Sequence, residues 1–240
     1  MNVRAIKTRI FKQEENLSMF IEEHIKKIPD GSILLIASKI VALSEGQFVQ
    51  PPEVAQIGKD SVGSLIRKES TWAVQSEGVW LTEKDGMIMA NAGIDKSNAN
   101  GGIVLLPKDS FASAARLRKV LQKKYRIKNL GIVITDSALM PLRAGVVGVA
   151  LGYAGFTGVR DYRGKKDIVG RKMKISRTNI ADSIATAGTL IMGEGAEQQP
   201  VALITDAPVE FVEKINKKEL KINPKEDIFW PLLKRVRRTK

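Results

Sequence analysis

Three short apolar runs constrain the fold of this chain more than any other feature: SILLIASKIVAL (32–43), GIVITD (131–136) and GVVGVALGYAGF (145–156). None approaches the ~20 apolar residues that a membrane helix needs. Each is too continuously apolar to lie on a surface, so the chain must bury a sheet. The first run begins as a buried strand. The second is a buried strand that ends in an acid. The third is rich in glycine, which predicts close packing of its backbone against a neighbour.

Helical periodicity marks the elements that cover the sheet. Leu17, Phe20, Ile21, Ile25 and Ile28 recur at helical spacing over residues 15–28, and Pro29-Asp30-Gly31 ends the segment. A second helix starts near Asp109 or Ser110, with Leu117, Val120 and Leu121 on one face. A third covers 179–192, with Ile180, Ile184, Ala187 and Ile191 in register. Residues 79–91 read as a hairpin through Lys84-Asp85-Gly86, because Asp-Gly favours the tight turn. Strands are expected at 103–107 and 201–205. Residues 44–70 are the loosest region, and KRVRRTK (234–240) reads as a frayed basic tail. Strands and helices alternate irregularly, which fits neither a simple doubly wound sheet nor an eight-fold barrel. Residues 1–240 are read as a single unit.

Composition narrows the chemistry. The absence of cysteine excludes disulfides, thiolate catalysis and thiolate metal sites, and one histidine excludes a multi-histidine zinc site. Any metal must be held mainly by oxygen, which favours magnesium or manganese. The net charge of +13 suits anionic partners, or simply a surface of solvated lysines. No nucleic-acid recognition motif accompanies it, so nucleic acid is an unlikely partner. MNVRAIKTRI has no apolar signal core, and a cytoplasmic location is expected.

Three acids stand at positions suited to chemistry. Asp95, in NAGIDKSN, follows a strand and a glycine; it can ligate a hard cation or merely close an Asx-type turn. Asp136, in ITDS, lies at the carboxyl end of a buried strand, where open α/β sheets place ligands; the alternative is a helix cap. Glu194, in MGEG, sits between glycines that expose N–H groups to a phosphate or only terminate a helix. No Walker-type loop or GxGxxG follows a strand. His24 lies among apolar helix positions and reads as structural.

In order and spacing, IASKIVALSEG (36–46), NAGIDKSN (91–98), LLPKDSFASAARLR (105–118), GIVITDS (131–137), RAGVVGVALGYAGF (143–156), RDYRGKKDIVGRKMKI (160–175) and IADSIATAGTLIMGEG (180–195) resemble the coenzyme F-420:L-glutamate ligase family. The resemblance implies an α+β, mixed-sheet, two-lobed fold and a homodimer. It implies GTP, two magnesium or manganese ions, an acyl phosphate, and attack by the amine of L-glutamate. By position it makes Asp95, Asp136, Ser137 and Glu194 the metal ligands, the three acids also being catalytic. Ser38, Asn98 and the loop of Met192, Gly193 and Gly195 fall on nucleotide contacts. Two departures bear on the site. A family lysine near the nucleotide is Leu43 here, with Lys39 nearby as a compensating cation. A glycine and an arginine beside the acids become Leu139 and Met140, after Ala138, while Arg143 remains as the acceptor contact. These changes leave the acceptor open between the F-420 precursor and a folate-like carboxylate. They also keep a second reading in view: a relative that binds nucleotide or an anionic partner without ligation.

Overall fold

The computed structural model describes residues 1–50, 61–97 and 101–236. The chain opens with β1 (Asn2–Ile6), α1 (Leu17–His24), β2 (Ser32–Ala37), α2 (Ser38–Ser44) and β3 (Phe48–Val49). There follow α3 (Ser61–Glu69), β4 (Trp72–Gln75), β5 (Trp80–Lys84), β6 (Met87–Ala90) and β7 (Ile103–Val104). The second half holds α4 (Ser110–Tyr125), β8 (Leu130–Leu139), β9 (Val146–Ala154), β10 (Val159–Asp161) and β11 (Arg177–Asn179). It continues with α5 (Ile180–Met192), β12 (Val201–Thr205) and α6 (Trp230–Val236).

A five-stranded sheet of order β1-β12-β2-β8-β9 forms the centre. β2 and β8 run parallel, and the other neighbours pair antiparallel. The fold is therefore α+β with a mixed sheet. β2 is continuously apolar because both of its faces are covered. Leu34 and Ile36 point to the side of α1 and α4, where they meet Phe20, Ile21, Leu117 and Leu121. Ile33 and Leu35 point the other way, to Tyr153, Phe156, Ala181 and Ile184. Each such fully buried side chain contributes about 1.5–3 kcal/mol.

Glycine sets how closely α5 approaches the sheet. A Cβ on Gly148 would lie 2.5 Å from the Ala185 carbonyl oxygen, and one on Gly188 would lie 2.0 Å from Leu35 Cδ2. The glycine-rich third run thus packs its backbone closely, as its composition suggests. α5 also closes the outer edge of β9. The Ala150 N–H donates to Asp182 Oδ1 at 2.8 Å, and Thr186 Oγ1 donates to the Gly148 carbonyl at 2.8 Å.

β4, β5 and β6 form a separate antiparallel sheet. Asp85 and Gly86 at its turn have φ of 54° and 81°, the left-handed pair that an Asp-Gly hairpin requires. Several boundaries differ from expectation. The first helix stops at His24, because Ile25 turns extended (φ −122°, ψ 105°). Ile25 and Ile28 are still buried, so apolar spacing continues past the end of the helix. The strand expected at 103–107 is only Ile103–Val104. Within 44–70, Ser61–Glu69 is helical, while 51–60 lie outside the described residues. Lys234–Val236 of the basic tail belong to α6, and the remainder lies outside the described residues. His24 is structural: Nδ1 donates to the Phe20 carbonyl at 2.8 Å, and Nε2 accepts the Arg9 N–H at 3.3 Å.

One buried cation ties the layers together. Arg118 Nε donates to the Leu130 carbonyl at 2.8 Å, and its two terminal nitrogens grip Glu213 at 2.9 and 3.0 Å. The Arg118 side chain is 8% exposed and that of Glu213 is 70% exposed, so nearly all the desolvation falls on the arginine. Arg118→Ala is expected to lower the unfolding free energy by about 3 kcal/mol in urea titrations, since it strips a buried carbonyl of its donor and opens a cavity. Glu213→Gln should cost clearly less, because water can replace an exposed partner.

Candidate active site

The parallel pairing of β2 and β8 sets Ala37 opposite Thr135. The next residue of each strand, Ser38 and Asp136, therefore emerges at the same end of the sheet. Ser38 starts α2 and is buried. Its side chain and the Ser137 backbone both favour the charged form of the Asp136 carboxyl. Burial is the largest influence on Asp136 and raises its pKa from 3.8 to about 6. Ser137 and Ser38 oppose that rise, while the charges of Asp95 and Glu194 add to it. Asp95 and Glu194 are thus both near enough to Asp136 for their charges to act on it.

Asp95 is held by an unusual stretch of backbone. Asn91 and Ala92 have φ of 52° and 54°. Asn91 Oδ1 accepts the Trp80 N–H at 2.9 Å, and the Ala92 N–H donates to Thr82 Oγ1 at 2.9 Å, which stabilises this left-handed pair. Gly93 has φ of 70°, and Leu106 fills the place where a Cβ would lie, at 2.5 Å. Asp95 then pairs its backbone with Val104 at 2.9 and 2.8 Å. Its carboxylate takes the Ser97 N–H at 2.6 Å and the Ser97 hydroxyl at 3.0 Å, an Asx-type turn. Lys39 Nζ lies 2.6 Å from Asp95 Oδ2 and also reaches Ser97 Oγ at 2.9 Å. Burial pushes the Asp95 pKa up, but Lys39 and Ser97 outweigh it and hold the carboxyl below its usual range.

Glu194 follows α5 through Gly193, whose φ of 80° only glycine adopts freely. Ser137 Oγ donates to Glu194 Oε1 at 2.7 Å, joining the end of β8 to this loop. The two glycine amides already have acceptors: the Gly193 N–H donates to the Thr189 carbonyl at 3.0 Å, and the Gly195 N–H to Glu197 Oε2 at 2.7 Å. Glu197 is a structural part of this loop that the sequence reading did not single out; its only signal is an acid two residues beyond a glycine. The Met192 side chain is buried in the core on the α5 side of the sheet.

The remaining candidates are dispersed. Asn98 lies outside the described residues. Arg143 is exposed in the turn between β8 and β9, its N–H donating to the Met140 carbonyl at 3.2 Å. Leu43 packs its side chain against the core beside Phe48. Leu139 and Met140 are 55% and 47% exposed where β8 ends.

Asp95, Asp136, Ser137 and Glu194 offer only hard oxygen donors, the donor set of magnesium or manganese. Among the described residues no three acids or histidines form a group able to hold one ion together. The donors fit ions that each take one or two protein groups and complete their shells with phosphate and water, as magnesium commonly does.

Residues 5–206 match the family model described as F420-0:Gamma-glutamyl ligase. The coenzyme F420:L-glutamate ligase of Methanocaldococcus jannaschii is 35% identical over 226 residues, covering 88% of this chain and 90% of that protein. The protein of the same name from Methanopyrus kandleri is 34% identical over 203 residues, covering 79% and 80%. That from Archaeoglobus fulgidus is 30% identical over 242 residues, covering 94% of both.

The raised pKa of Asp136 has a definite sign. Its stabilising contribution is complete below the unfolded value of 3.8 and is lost as pH rises through about 6. In chelator, Asp136→Asn should therefore raise stability at pH 7.5 by about 1–2 kcal/mol and change it little near pH 4. Thermal melts at the two pH values check this, and an equal shift at both would contradict it.

Proposed function

Because this chain belongs to the F420-0:gamma-glutamyl ligase family, we propose that it is a nucleotide-dependent ligase joining L-glutamate to a carboxylate of a small acceptor. The observation that carries the reading is Asp136: an acid on a central strand whose pKa burial raises, with Asp95 and Glu194 acting on it. GTP is the proposed phosphoryl donor. The acceptor is an F420 precursor, as the relatives' names suggest, or a folate-like carboxylate.

In the proposed reaction an acceptor carboxylate oxygen attacks the γ-phosphorus, and the bond to GDP breaks. The amine of L-glutamate then attacks the acyl carbon, forming the amide, releasing phosphate and losing a proton. Two magnesium or manganese ions held by Asp95, Asp136, Ser137 and Glu194 would supply charge neutralisation at the transferring phosphoryl group. The chain's own residues supply position. Ser38 orients the Asp136 carboxylate. Glu194 orients the Ser137 hydroxyl. Lys39 brings a cation beside Asp95. Nucleotide contacts are assigned to Ser38, Lys39 and Asn98, and an anionic group of the acceptor to the exposed Arg143. A homodimer is part of the proposal, supported by the exposed apolar side chains of Leu142, Ile168 and Ile175.

A second reading is nucleotide binding without ligation. It is favoured by the exposed Leu139 and Met140 at the end of the strand that carries Asp136. Incubation with GTP or ATP, magnesium or manganese, labelled glutamate and candidate acceptors separates the two. Amide product supports the ligase; tight nucleotide binding with no product selects the second reading. Asp136→Asn should lower turnover by about 10²-fold or more, a loss typical of a group acting on transition-state charge, without loss of folded protein. Full activity in that variant would remove Asp136 from the site.

A further inference from the structure

The segment after β12 is built to present lysines. Two of its acids are tied to the body of the protein. Glu213 grips the buried Arg118, and Glu219 accepts from the Tyr153 hydroxyl and, at 2.8 Å, from the Gly158 N–H. Between and beyond these anchors Lys217, Lys218 and Lys221 remain exposed. They border a cavity of about 480 Å³ that also takes in the hairpin turn at Gly86, the start of α4 and the outer part of β9. Lys108 adds a fourth cation.

The lining is two-sided in character. Met87, Leu106, Phe111, Leu151 and Leu220 supply apolar surface. Three acids also line the space, and two of them serve the fold. Asp109 caps α4 through the Ala112 N–H at 2.8 Å and lies 3.8 Å from Lys217. Asp182 holds the Ala150 N–H and the Asn179 amide. Asp85 sits in the hairpin turn. Among the described residues no carboxylate lies within ion-pair reach of Lys108, Lys218 or Lys221. The volume is that of a small-molecule site, whose mostly apolar wall is completed by a few charged groups. Lysines act there as point charges rather than as the planar forks that arginine would provide.

We propose that this cleft binds a small organic anion carrying two or more carboxylates on an apolar ring. The ring lies against Phe111 and Leu151, and the carboxylates meet Lys218 and Lys221. None of these residues belongs to the Asp136 site, and the inference does not rest on the ligase reading.

Naphthalene-2,6-dicarboxylate is a suitable probe. Isothermal titration of the full chain in chelator, without nucleotide and at about 50 mM salt, should show one saturable site. Affinity should fall about threefold to fivefold in Lys218→Gln or Lys221→Gln, and at least tenfold in the double variant. Raising the salt to about 0.5 M should weaken binding in the wild type more than in the double variant. Both lysines are exposed, so circular dichroism should show the variants folded as the wild type. Absence of a saturable site in the wild type overturns the proposal. So does unchanged affinity in the double variant, or equal binding of the neutral dimethyl ester.

Discussion

The parallel contact between β2 and β8 is the constraint on which the rest depends. Parallel neighbours end at the same edge, so Ser38 and Asp136 meet there without any loop being asked to bring them together. A slip of one residue would turn every side chain of a strand to the opposite face, and the buried faces on both sides forbid it. Parallel strands also oblige the chain to cross back between them. That crossover carries the small sheet, the Asp95 loop and α4. One strand direction thus explains both where Asp136 stands and why a distant excursion returns Asp95 to it.

Electrostatics make the same region distinct. The chain as a whole carries +13, yet a central strand carries an acid under the influence of two more. Asp95 keeps its charge because Lys39 and Ser97 stabilise the carboxylate; Asp136, desolvated, is pushed the other way. Environments that separate like groups in this manner are a feature of chemically competent sites.

Much of this was legible in the sequence, for reasons that also explain the gaps. β12 falls on 201–205 and α5 within one residue of 179–192, because each has an apolar pattern of its own and clear ends. β1 and β4 carry little local signal. NVRAI is only weakly patterned and gains its strand state from pairing with β12, almost the whole chain away. Apolar spacing predicts a longer α1 than forms, because Ile25 and Ile28 are buried at helical spacing in a backbone that is no longer helical; spacing reports burial more faithfully than conformation. At the site, the apolar run before Asp136 marks the buried part of β8, but the strand continues through Leu139, because Ser137–Leu139 pair with β9 without an apolar pattern of their own. Asp95 and Glu194 left a choice between turn or cap and functional group; the structure shows the Asx turn and the glycine cap, which fix where each carboxylate stands. The contacts Lys39–Asp95 and Ser137–Glu194 join segments remote in sequence, 57 residues apart in the second case, and no local pattern encodes them.

The side chains of Asp182 and Thr186 along β9 have a consequence for how this chain can associate. A sheet edge with free amides and carbonyls is a template for another strand, in a fibril or an extended dimer sheet. Here the Ala150 amide and the Gly148 carbonyl are already bonded to a helix of the same chain. Lengthening the sheet across this stretch would first require peeling α5 from the core. Copies of the protein that meet on this side must therefore do so through side chains, and the central sheet stays finite here even in concentrated solution.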